Sequence, residues 1–297
     1  MRLLTHTDLD GVMCAVLLID TEEVDEVKFI DPATIQSGKM SIFKYDIIAD
    51  LPYDKRCGMW FDHHESSRPP AERKFEGSWK LAPSAARVVY DYYENPYLEK
   101  YASALKETDR IDSGQVVLEE IKNPEGWFLL SNTLEMEPEK KKDDEYKRHV
   151  IELIRKNPDI KFVLADSQVS ERCKRLKSEF AAFERILLQN TKMVGKVAFS
   201  DLRAVDGLPR GSNYLVYALF PEAVTSVRLM PQDKGEGEVK ISAGHNIFGK
   251  EKCSFDVGAA MKKIGGGGHK AVGGAKVKSE EAEAIAKKLI EDINKAC

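Results

Sequence analysis

Short apolar runs separated by polar segments characterise the N-terminal part of the chain. Four runs have the length of β-strands, namely Met1–Leu4, Val27–Ile30, Tyr45–Ala49 and Gly58–Phe61. After the first run, apolar residues from Val12 to Ile19 repeat with helical spacing. Strands that alternate with helices predict an α/β fold with a mostly parallel sheet.

Helical patterns follow at 83–94 and 98–107, and residues 115–190 are helix-rich and charged. After Thr191, strand-like and helix-like runs alternate again, which predicts a second, smaller α/β unit. The strand-like runs are 194–199, 225–230 and 238–242, and the helix-like runs are 213–220 and 257–264. We therefore expect a domain at 1–156, a helical connector at 157–190 and a second domain at 191–297.

The composition is that of a globular protein. Of 297 residues, 42% are apolar and 32% are charged. The net charge of -4 argues against a protein that coats long duplex nucleic acid, because neutralising many phosphates requires many positive charges. We therefore expect a small substrate.

The five cysteines contain no Cys-x-x-Cys pair, so neither a disulfide framework nor a thiolate zinc site is predicted, and reduced thiols are expected. No run approaches the ~18 apolar residues of a membrane helix, and no apolar leader precedes the first strand. These features predict a cytoplasmic protein without a membrane segment.

Metal-capable side chains follow three of the predicted strands. They are His6, Asp8 and Asp10 after the first strand, Asp50 after the third, and Asp62, His63 and His64 after the fourth. Open α/β sheets bind ligands at the carboxyl ends of their strands. An extended backbone from residue 6 to residue 10 would place the first three side chains on one side.

Simpler explanations exist for each of these segments. Asp8 or Asp10 could cap the following helix, and Asp50 could be a turn residue before Leu51-Pro52. The segment 62–64 could be a polar surface loop. Two further carboxylates, Asp109 and Asp112, lie at a helix end where the macrodipole disfavours anions, which suggests a metal ligand or an Asx turn that closes on Gly114.

A glycine string extends from Gly265 to Gly274. Consecutive glycines expose backbone N–H groups that a phosphate can approach closely. His269 and Lys270 within the string could add a donor and a charge. The alternative is a flexible linker.

Together these motifs resemble the DHH phosphoesterase superfamily, in the branch with a DHH-associated C-terminal domain. The resemblance covers essentially the whole chain. It rests on Asp62-His63-His64, the segment 6–11, Asp50, Asp109 and the glycine string. The branch includes nano-oligoribonucleases, pAp phosphatases, cyclic-dinucleotide phosphodiesterases and exopolyphosphatase-like proteins. It implies a catalytic domain with two Mn²⁺ ions and an active-site cleft closed by the C-terminal domain.

The resemblance also implies a role for individual residues. One ion would be held by His6, Asp10 and Asp50, and Asp50 would bridge to a second ion held with His63 and Asp109. Asp62 would orient an imidazole, and His64 would face the scissile phosphate. The substrate phosphate would be gripped by the backbone and side chains of Gly266, Gly267, Gly268, His269 and Lys270.

Two segments depart from the family pattern. Many members carry His-x-x-x-Asp-x-Asp, whose last position is Val12 here, so Asp8 would supply the third ligand of this motif. Nucleotide-binding relatives often carry Ser-Leu-Arg-Ser before the glycine string, whereas this chain reads Ile241-Ser242-Ala243-Gly244-His245-Asn246. The absent Arg weakens a nucleotide-specific interpretation and makes His245 a candidate phosphate contact.

The ligand types suggest the chemistry. Carboxylate oxygens and imidazole nitrogens without thiolates suit Mn²⁺, and two ions ~3.5–4 Å apart can activate a water for in-line attack on phosphorus. The leading hypothesis is a Mn²⁺-dependent phosphodiesterase acting on very short oligonucleotides, with Tyr214 or Phe248 as base-stacking aromatics. A short-chain exopolyphosphatase and a non-catalytic nucleotide-binding regulator, favoured by Val12, are the alternatives. A homodimer and the choice between Asp109 and Asp112 are left open.

Overall fold

The computed structural model of the protein describes residues 1–70, 72–230, 237–249 and 253–297. These residues form two compact units. The first unit comprises Met1–Val116 and Pro124–Arg175, and the second comprises Val117–Asn123 and Leu176–Cys297. Each unit combines a β-sheet with helices, so the predicted α/β class is confirmed.

A five-stranded sheet forms the centre of the first unit in the described chain. Its strands are β1 (Arg2–Thr5), β2 (Glu26–Phe29), β3 (Asp46–Ala49), β4 (Met59–Asp62) and β5 (Glu76–Trp79). The order is β2-β1-β3-β4-β5 and every pair is parallel, as predicted for this sheet. The sequence did not predict β5, because this edge strand is only half-buried and has no apolar run.

The α-helices of the described residues are accompanied by short 3₁₀ helices at Glu65–Ser67 and Pro96–Tyr101. The α-helices are α1 (Leu9–Thr21), α2 (Pro32–Gln36), α3 (Ala85–Tyr93), α4 (Ala102–Asp112), α5 (Leu118–Lys122), α6 (Gly126–Ser131), α7 (Lys140–Lys156), α8 (Ile160–Ala165), α9 (Ser167–Asn190), α10 (Leu215–Leu219), α11 (Val257–Lys263) and α12 (Ala282–Ala296). Helix α1 is buried from Leu9 to Leu18 because it packs against β1, α3, α4 and α7.

One cluster of the N-terminal core lies directly below the strand ends that carry the candidate ligands. Trp60 of β4 is fully buried in it, together with Leu4, Ile48 and Leu51. The Trp60 indole Nε1 donates a hydrogen bond to the carbonyl oxygen of Leu51 at 2.9 Å. This bond fixes the chain immediately after Asp50.

The second unit contains a six-stranded sheet within the described residues. Its strands are β6 (Thr191–Val194), β7 (Val197–Asp201), β8 (Thr225–Leu229), β9 (Glu238–His245), β10 (Gly267–His269) and β11 (Val272–Lys278). The order is β10-β11-β9-β8-β7-β6, and only β7 and β8 run parallel among these pairs. The single strand predicted at 194–199 is wrong, because Gly195, at φ 62°, turns the chain into a hairpin.

Strands β8 and β9 separate apolar from polar side chains by their alternation. One face buries Val227, Leu229 and Ile241 against α11 and α12. The other face carries polar residues, with Arg228 paired to Ser242 across the two strands. Helix α12 has a clear apolar stripe, although no element was predicted there from the sequence.

A disulfide joins Cys253 and Cys297, whose Cα atoms are 4.7 Å apart. The expectation of reduced thiols is therefore wrong for this pair. The two residues are 44 positions apart, and a pairing at that distance cannot be read from spacing alone. Across the part of the chain that is described, no helix has the length and apolar composition of a membrane span.

Candidate metal centre and active site

Three adjacent strands of the first unit end in metal-capable side chains. Strand β1 leads into His6, β3 into Asp50 and β4 into Asp62 and the two histidines that follow. Because β1, β3 and β4 are neighbours and parallel, these ends meet at one edge of the sheet. Candidate ligand atoms come within 4.8 Å of one another in three groups, Asp50-Asp62-His63-His64, His6-Asp8-Asp50 and Asp10-His63-Asp112.

Asp8 both caps a helix and contacts a histidine. Its Oδ1 accepts a hydrogen bond from the Gly11 amide at 3.0 Å, and its Oδ2 lies 2.7 Å from His6 Nδ1. The helix begins at Leu9, so the predicted extended backbone through Asp10 is wrong. A Cβ at Gly11 would lie 2.2 Å from the His6 carbonyl oxygen, so glycine is needed for this close approach.

Asp10 is held by the start of another helix. Its Oδ2 and Oδ1 accept hydrogen bonds from the amides of Ala85 and Ala86 at 2.6 and 2.8 Å. These amides are the first of α3 and have no partner within that helix. The carboxylate is therefore fixed in position, although it is almost completely buried.

Asp50 is at the centre of the site. Its Oδ1 lies 3.8 Å from His63 Nε2 and 3.7 Å from His64 Nδ1, and its Oδ2 lies 3.6 Å from His6 Nδ1. Its backbone has a φ of 57°, a left-handed conformation that non-glycine residues adopt at an energetic cost. The turn-residue explanation accounts for this backbone, but it does not account for a carboxylate that is only 2% exposed.

His63 is oriented with one nitrogen toward the carboxylates. Its Nδ1 lies 3.0 Å from the Ala82 carbonyl oxygen and can donate to it, so Nε2 is the nitrogen that faces the carboxylates. Nε2 lies 3.3 Å from Asp112 Oδ2 and 3.9 Å from Asp10 Oδ2. A neutral imidazole in this tautomer can bind a metal ion through Nε2.

Asp62 orients the histidines that follow it. Its Oδ1 accepts hydrogen bonds from the amides of His63 and His64 at 2.8 and 3.2 Å, and it lies 2.8 Å from His64 Nδ1. The Asp62 side chain is fully buried, whereas the His64 side chain is 50% exposed. The surface-loop explanation for this segment is wrong, because Asp62 ends a buried strand.

The two aspartates of α4 have different surroundings. Asp109 accepts hydrogen bonds from Ser84 Oγ at 2.6 Å and from Arg87 Nη2 at 2.7 Å, so both of its oxygens are engaged by the N-cap and first turn of α3. Asp112 instead points its Oδ2 at His63. The structure therefore brings Asp112, and not the predicted Asp109, into a ligand group.

Burial and repulsion between carboxylates raise the pKa of three carboxyl groups in this site. Burial first, and then the neighbouring carboxylates, raise the pKa of Asp10 and of Asp50 well above the usual range. Burial raises the pKa of Asp112 to about 6. Hydrogen bonds from their rings to Asp8 and Asp62 raise the pKa of His6 and of His64. A bound cation would relieve this repulsion.

Some buried ligand atoms have no hydrogen-bond partner. Among the described side chains these include Asp50 Oδ2, Asp62 Oδ2 and His63 Nε2. A buried polar atom without a partner is costly, and such atoms call for an ion or an ordered water. A divalent ion such as Mn²⁺ binds carboxylate oxygen and imidazole nitrogen, so these residues fit a metal centre.

The glycine string is part of the second unit's sheet and not a linker. Gly265, at φ 82°, follows the end of α11, and Gly267 and Gly268 pair with Gly274 and Gly273 in a hairpin. A Cβ at Gly268 would lie 2.3 Å from the Val272 carbonyl oxygen, whereas a Cβ at Gly267 would meet no atom within 4 Å. Packing therefore requires Gly268 but leaves Gly267 open to a ligand.

The predicted substrate residues of the second unit differ in availability. His269 and Lys270 are exposed at the hairpin. His245 has partners for both ring nitrogens, the hydroxyl of Thr225 and the carbonyl of Phe255, each at 2.9 Å. A phosphate contact at His245 would have to replace one of these bonds.

Some contributors were not predicted from the sequence. The amides of Ala85 and Ala86 could have been anticipated from Ser84, since Ser is a strong N-cap and marks a helix start. Val12, which motivated the hypothesis of a non-catalytic regulator, is fully buried in the core of α1. It therefore occupies a packing position.

Comparisons with known proteins show which solved structures the chain resembles. No protein-family model and no curated protein sequence matches the chain. Among solved structures, the pGpG-specific phosphodiesterase PggH from Vibrio cholerae is similar over 100% of this chain and 99% of its own, at 28% identity and a TM-score of 0.88.

Two more distant structures share the fold. RecJ from Thermus thermophilus, in complex with Mn²⁺, matches 99% of this chain and 52% of its own at 12% identity, with a TM-score of 0.53. An exonuclease RecJ bound to manganese matches 100% of this chain and 90% of its own, also at 12% identity and 0.53. The structural neighbours of the chain are DHH-family proteins, which are metal-dependent phosphoester hydrolases, and PggH is similar to it over its full length.

Proposed function

We propose that the protein is a Mn²⁺-dependent phosphodiesterase acting on very short oligonucleotides or related nucleotides. The main support is the group of carboxylates and imidazoles around Asp50, which contains buried ligand atoms without hydrogen-bond partners. The likeness to a pGpG-specific phosphodiesterase over the whole chain supports a short nucleotide as the substrate.

The ligand groups suggest how two ions would be held. His6, Asp8 and Asp50 would hold one ion, and Asp10, His63 and Asp112 would hold the other. Asp50 lies between the two groups, 3.6 Å from His6 and 3.8 Å from His63, so it can serve both.

When bound, the ions would supply Lewis acidity, which polarises a phosphate and lowers the pKa of a water molecule. The protein's own contribution is positional. Asp62 holds His64 through Nδ1, which leaves the exposed Nε2 available to a phosphate oxygen. The amides of α3 and the Ala82 carbonyl hold Asp10 and His63 in place.

A substrate panel tests this function. Purified protein would be incubated with Mn²⁺ and pGpG, pApA, a cyclic dinucleotide, pAp or tripolyphosphate, with EDTA as the control. We expect mononucleotides from the linear dinucleotides only when metal is present. Phosphate release from tripolyphosphate with intact dinucleotides would instead identify a short-chain exopolyphosphatase. A protein that binds dinucleotides, hydrolyses no phosphoester and holds fewer than two ions per chain would be a non-catalytic regulator.

The two aspartates of α4 give a matched pair of variants. Asp112→Asn is expected to lower kcat at least about 100-fold, because it removes a direct ligand. Asp109→Asn is expected to cost about 1–3 kcal/mol of stability through the weakened bonds to Ser84 and Arg87, with kcat kept within about tenfold. Steady-state kinetics at saturating Mn²⁺ and thermal melts measure both effects. If Asp109→Asn instead lowered kcat more than Asp112→Asn, Asp109 would be the metal ligand.

The glycine string gives a second pair. Gly267→Ala is expected to leave the melting temperature nearly unchanged, because its Cβ meets open space, and to raise the KM for a dinucleotide about tenfold if this backbone contacts phosphate. Gly268→Ala is expected to destabilise the unit by about 1–3 kcal/mol, since its Cβ would clash with Val272. An unchanged KM for Gly267→Ala would remove this backbone from the substrate site.

A further inference from the structure

The polar face of β8 and β9 forms one wall of a pocket of about 460 Å³. Arg228 and Ser226 come from β8, and Lys240 and Ser242 from β9. Asn213, Tyr214 and Tyr217, at and before α10, also line the pocket. All of the lining residues belong to the second unit. None of the residues that line this pocket belongs to the metal centre described above.

Arg228 is a buried cation whose charge no acidic side chain of the described residues balances. Its side chain donates from Nη1 to Asn213 Oδ1 at 2.9 Å and from Nη2 to the Asn213 carbonyl. Its Nε has no hydrogen-bond partner, and no ion pair to Arg228 occurs within the described chain. The residue is 4% exposed, and burial lowers its pKa. A buried guanidinium without an acid is unfavourable unless another hydrogen-bond acceptor reaches it.

The rest of the pocket lining also favours an electron-rich ligand. Lys240 adds a second cation on the same face of the sheet. Of the described residues that line the pocket, none is Asp or Glu. Hydrogen-bond donors therefore face the pocket from two neighbouring strands, and the ligand should present acceptors to them.

The rim of the pocket is apolar. Tyr214, Ile247 and Val272 line it, although they are 40%, 54% and 54% exposed. The Tyr214 ring packs edge-on against Phe248, with ring centroids 6.0 Å apart. A phosphate alone would leave most of the volume and this rim unused, whereas an aromatic base would fill them.

Gly244 gives the ligand room to enter. It pairs with Ser226 across the strands, and a Cβ there would meet no atom closer than 3.6 Å.

We propose that this pocket is a guanine subsite, in which the O6 and N7 edge of the base faces Arg228 and the base stacks on Tyr214. Guanine presents two acceptors on that edge, and Arg is its usual partner, whereas adenine presents a donor in place of one of them. The proposal rests on the proposed function, because it assigns the base of the same nucleotide substrate.

The test compares two pocket variants with a control outside the pocket. Arg228→Met removes the guanidinium and keeps an apolar side chain of similar length. Gly244→Leu fills the pocket and leaves Arg228 in place. If Arg228→Met does not fold, Gly244→Leu still tests whether the pocket binds guanine. Arg203→Met is the control, because Arg203 pairs with Asp201 at 2.6 Å and lies outside the pocket.

Two measurements would be made on each protein. Calorimetry with EDTA present would compare GMP, AMP and inorganic phosphate, and kinetics with Mn²⁺ would compare pGpG, pApA and bis(p-nitrophenyl) phosphate, which has no base. We expect wild type and Arg203→Met to bind GMP at least tenfold tighter than AMP. Both pocket variants should lose about 10- to 100-fold in kcat/KM for pGpG and keep hydrolysis of the base-free diester.

The outcomes separate the two proposals. A guanine preference that persists in both pocket variants, or equal binding of GMP, AMP and phosphate by wild type, overturns the subsite. Failure of wild type to hydrolyse any diester overturns the proposed function, and GMP binding in EDTA still tests the subsite.

Discussion

Replacing His63 with alanine is expected to lower phosphodiester hydrolysis by about 10³-fold or more, equivalent to about 4 kcal/mol of transition-state stabilisation. Nε2 of this ring lies within 3.9 Å of three carboxylates, and the Ala82 carbonyl fixes the tautomer that exposes its lone pair. Kinetics with a dinucleotide and metal content per chain would measure the effect.

His149→Ala is the matched control for this variant. His149 belongs to the same unit, is also half-buried and pairs with Asp166 at 3.0 Å, away from the strand ends. We expect its activity to stay within about twofold of wild type and its melting temperature to fall slightly. If His63→Ala retained wild-type turnover and metal content, the strand-end cluster would have no part in the reaction.

Asp50→Asn is expected to stabilise the metal-free protein while abolishing its response to Mn²⁺. The buried Asp50 carboxylate is repelled by Asp10, Asp8 and Asp112, so a neutral amide removes an unfavourable charge. Asn also tolerates the left-handed backbone at this position better than most residues do. A gain of about 1–2 kcal/mol would raise the melting temperature of the metal-free protein by about 2–8 °C.

The opposite end of the same strand supplies the control. Asp46 begins β3 and is equally buried, but its carboxylate accepts hydrogen bonds from Arg2 at 2.9 and 2.6 Å. Asp46→Asn is therefore expected to lower the melting temperature and leave the Mn²⁺ response intact. Thermal melts with EDTA and with Mn²⁺ distinguish the two variants. Equal destabilisation by both would mean that Asp50 is not under charge repulsion.

Four of the five strands of the first unit were predictable from the sequence because they are short apolar runs, and three of them lead into candidate metal ligands. Since the carboxyl ends of parallel strands lie at one edge of a sheet, His6, Asp50 and His63 could be expected to lie near one another. The choice between Asp109 and Asp112 did not follow, because both lie at the end of α4. Only the position of α3 shows that Ser84 and Arg87 engage the first of them.

Long-range partners in the second unit were also beyond the sequence. The disulfide between Cys253 and Cys297 joins residues that spacing does not pair. The missing Arg on β9 argued against nucleotide specificity, yet strand register brings Arg228 of β8 to the same face. A motif read along one strand cannot reveal a side chain that a neighbouring strand supplies.

The candidate metal ligands at the strand ends are held in position by the surrounding chain. Two amides hold Asp10, one carbonyl holds His63, and Asp62 bonds to the backbone that follows it. We therefore expect a centre built in this way to fold without bound ions, unlike a zinc finger. Chelation should remove the ions reversibly and leave the protein folded. The fraction of active enzyme would then depend on the free concentration of the ion.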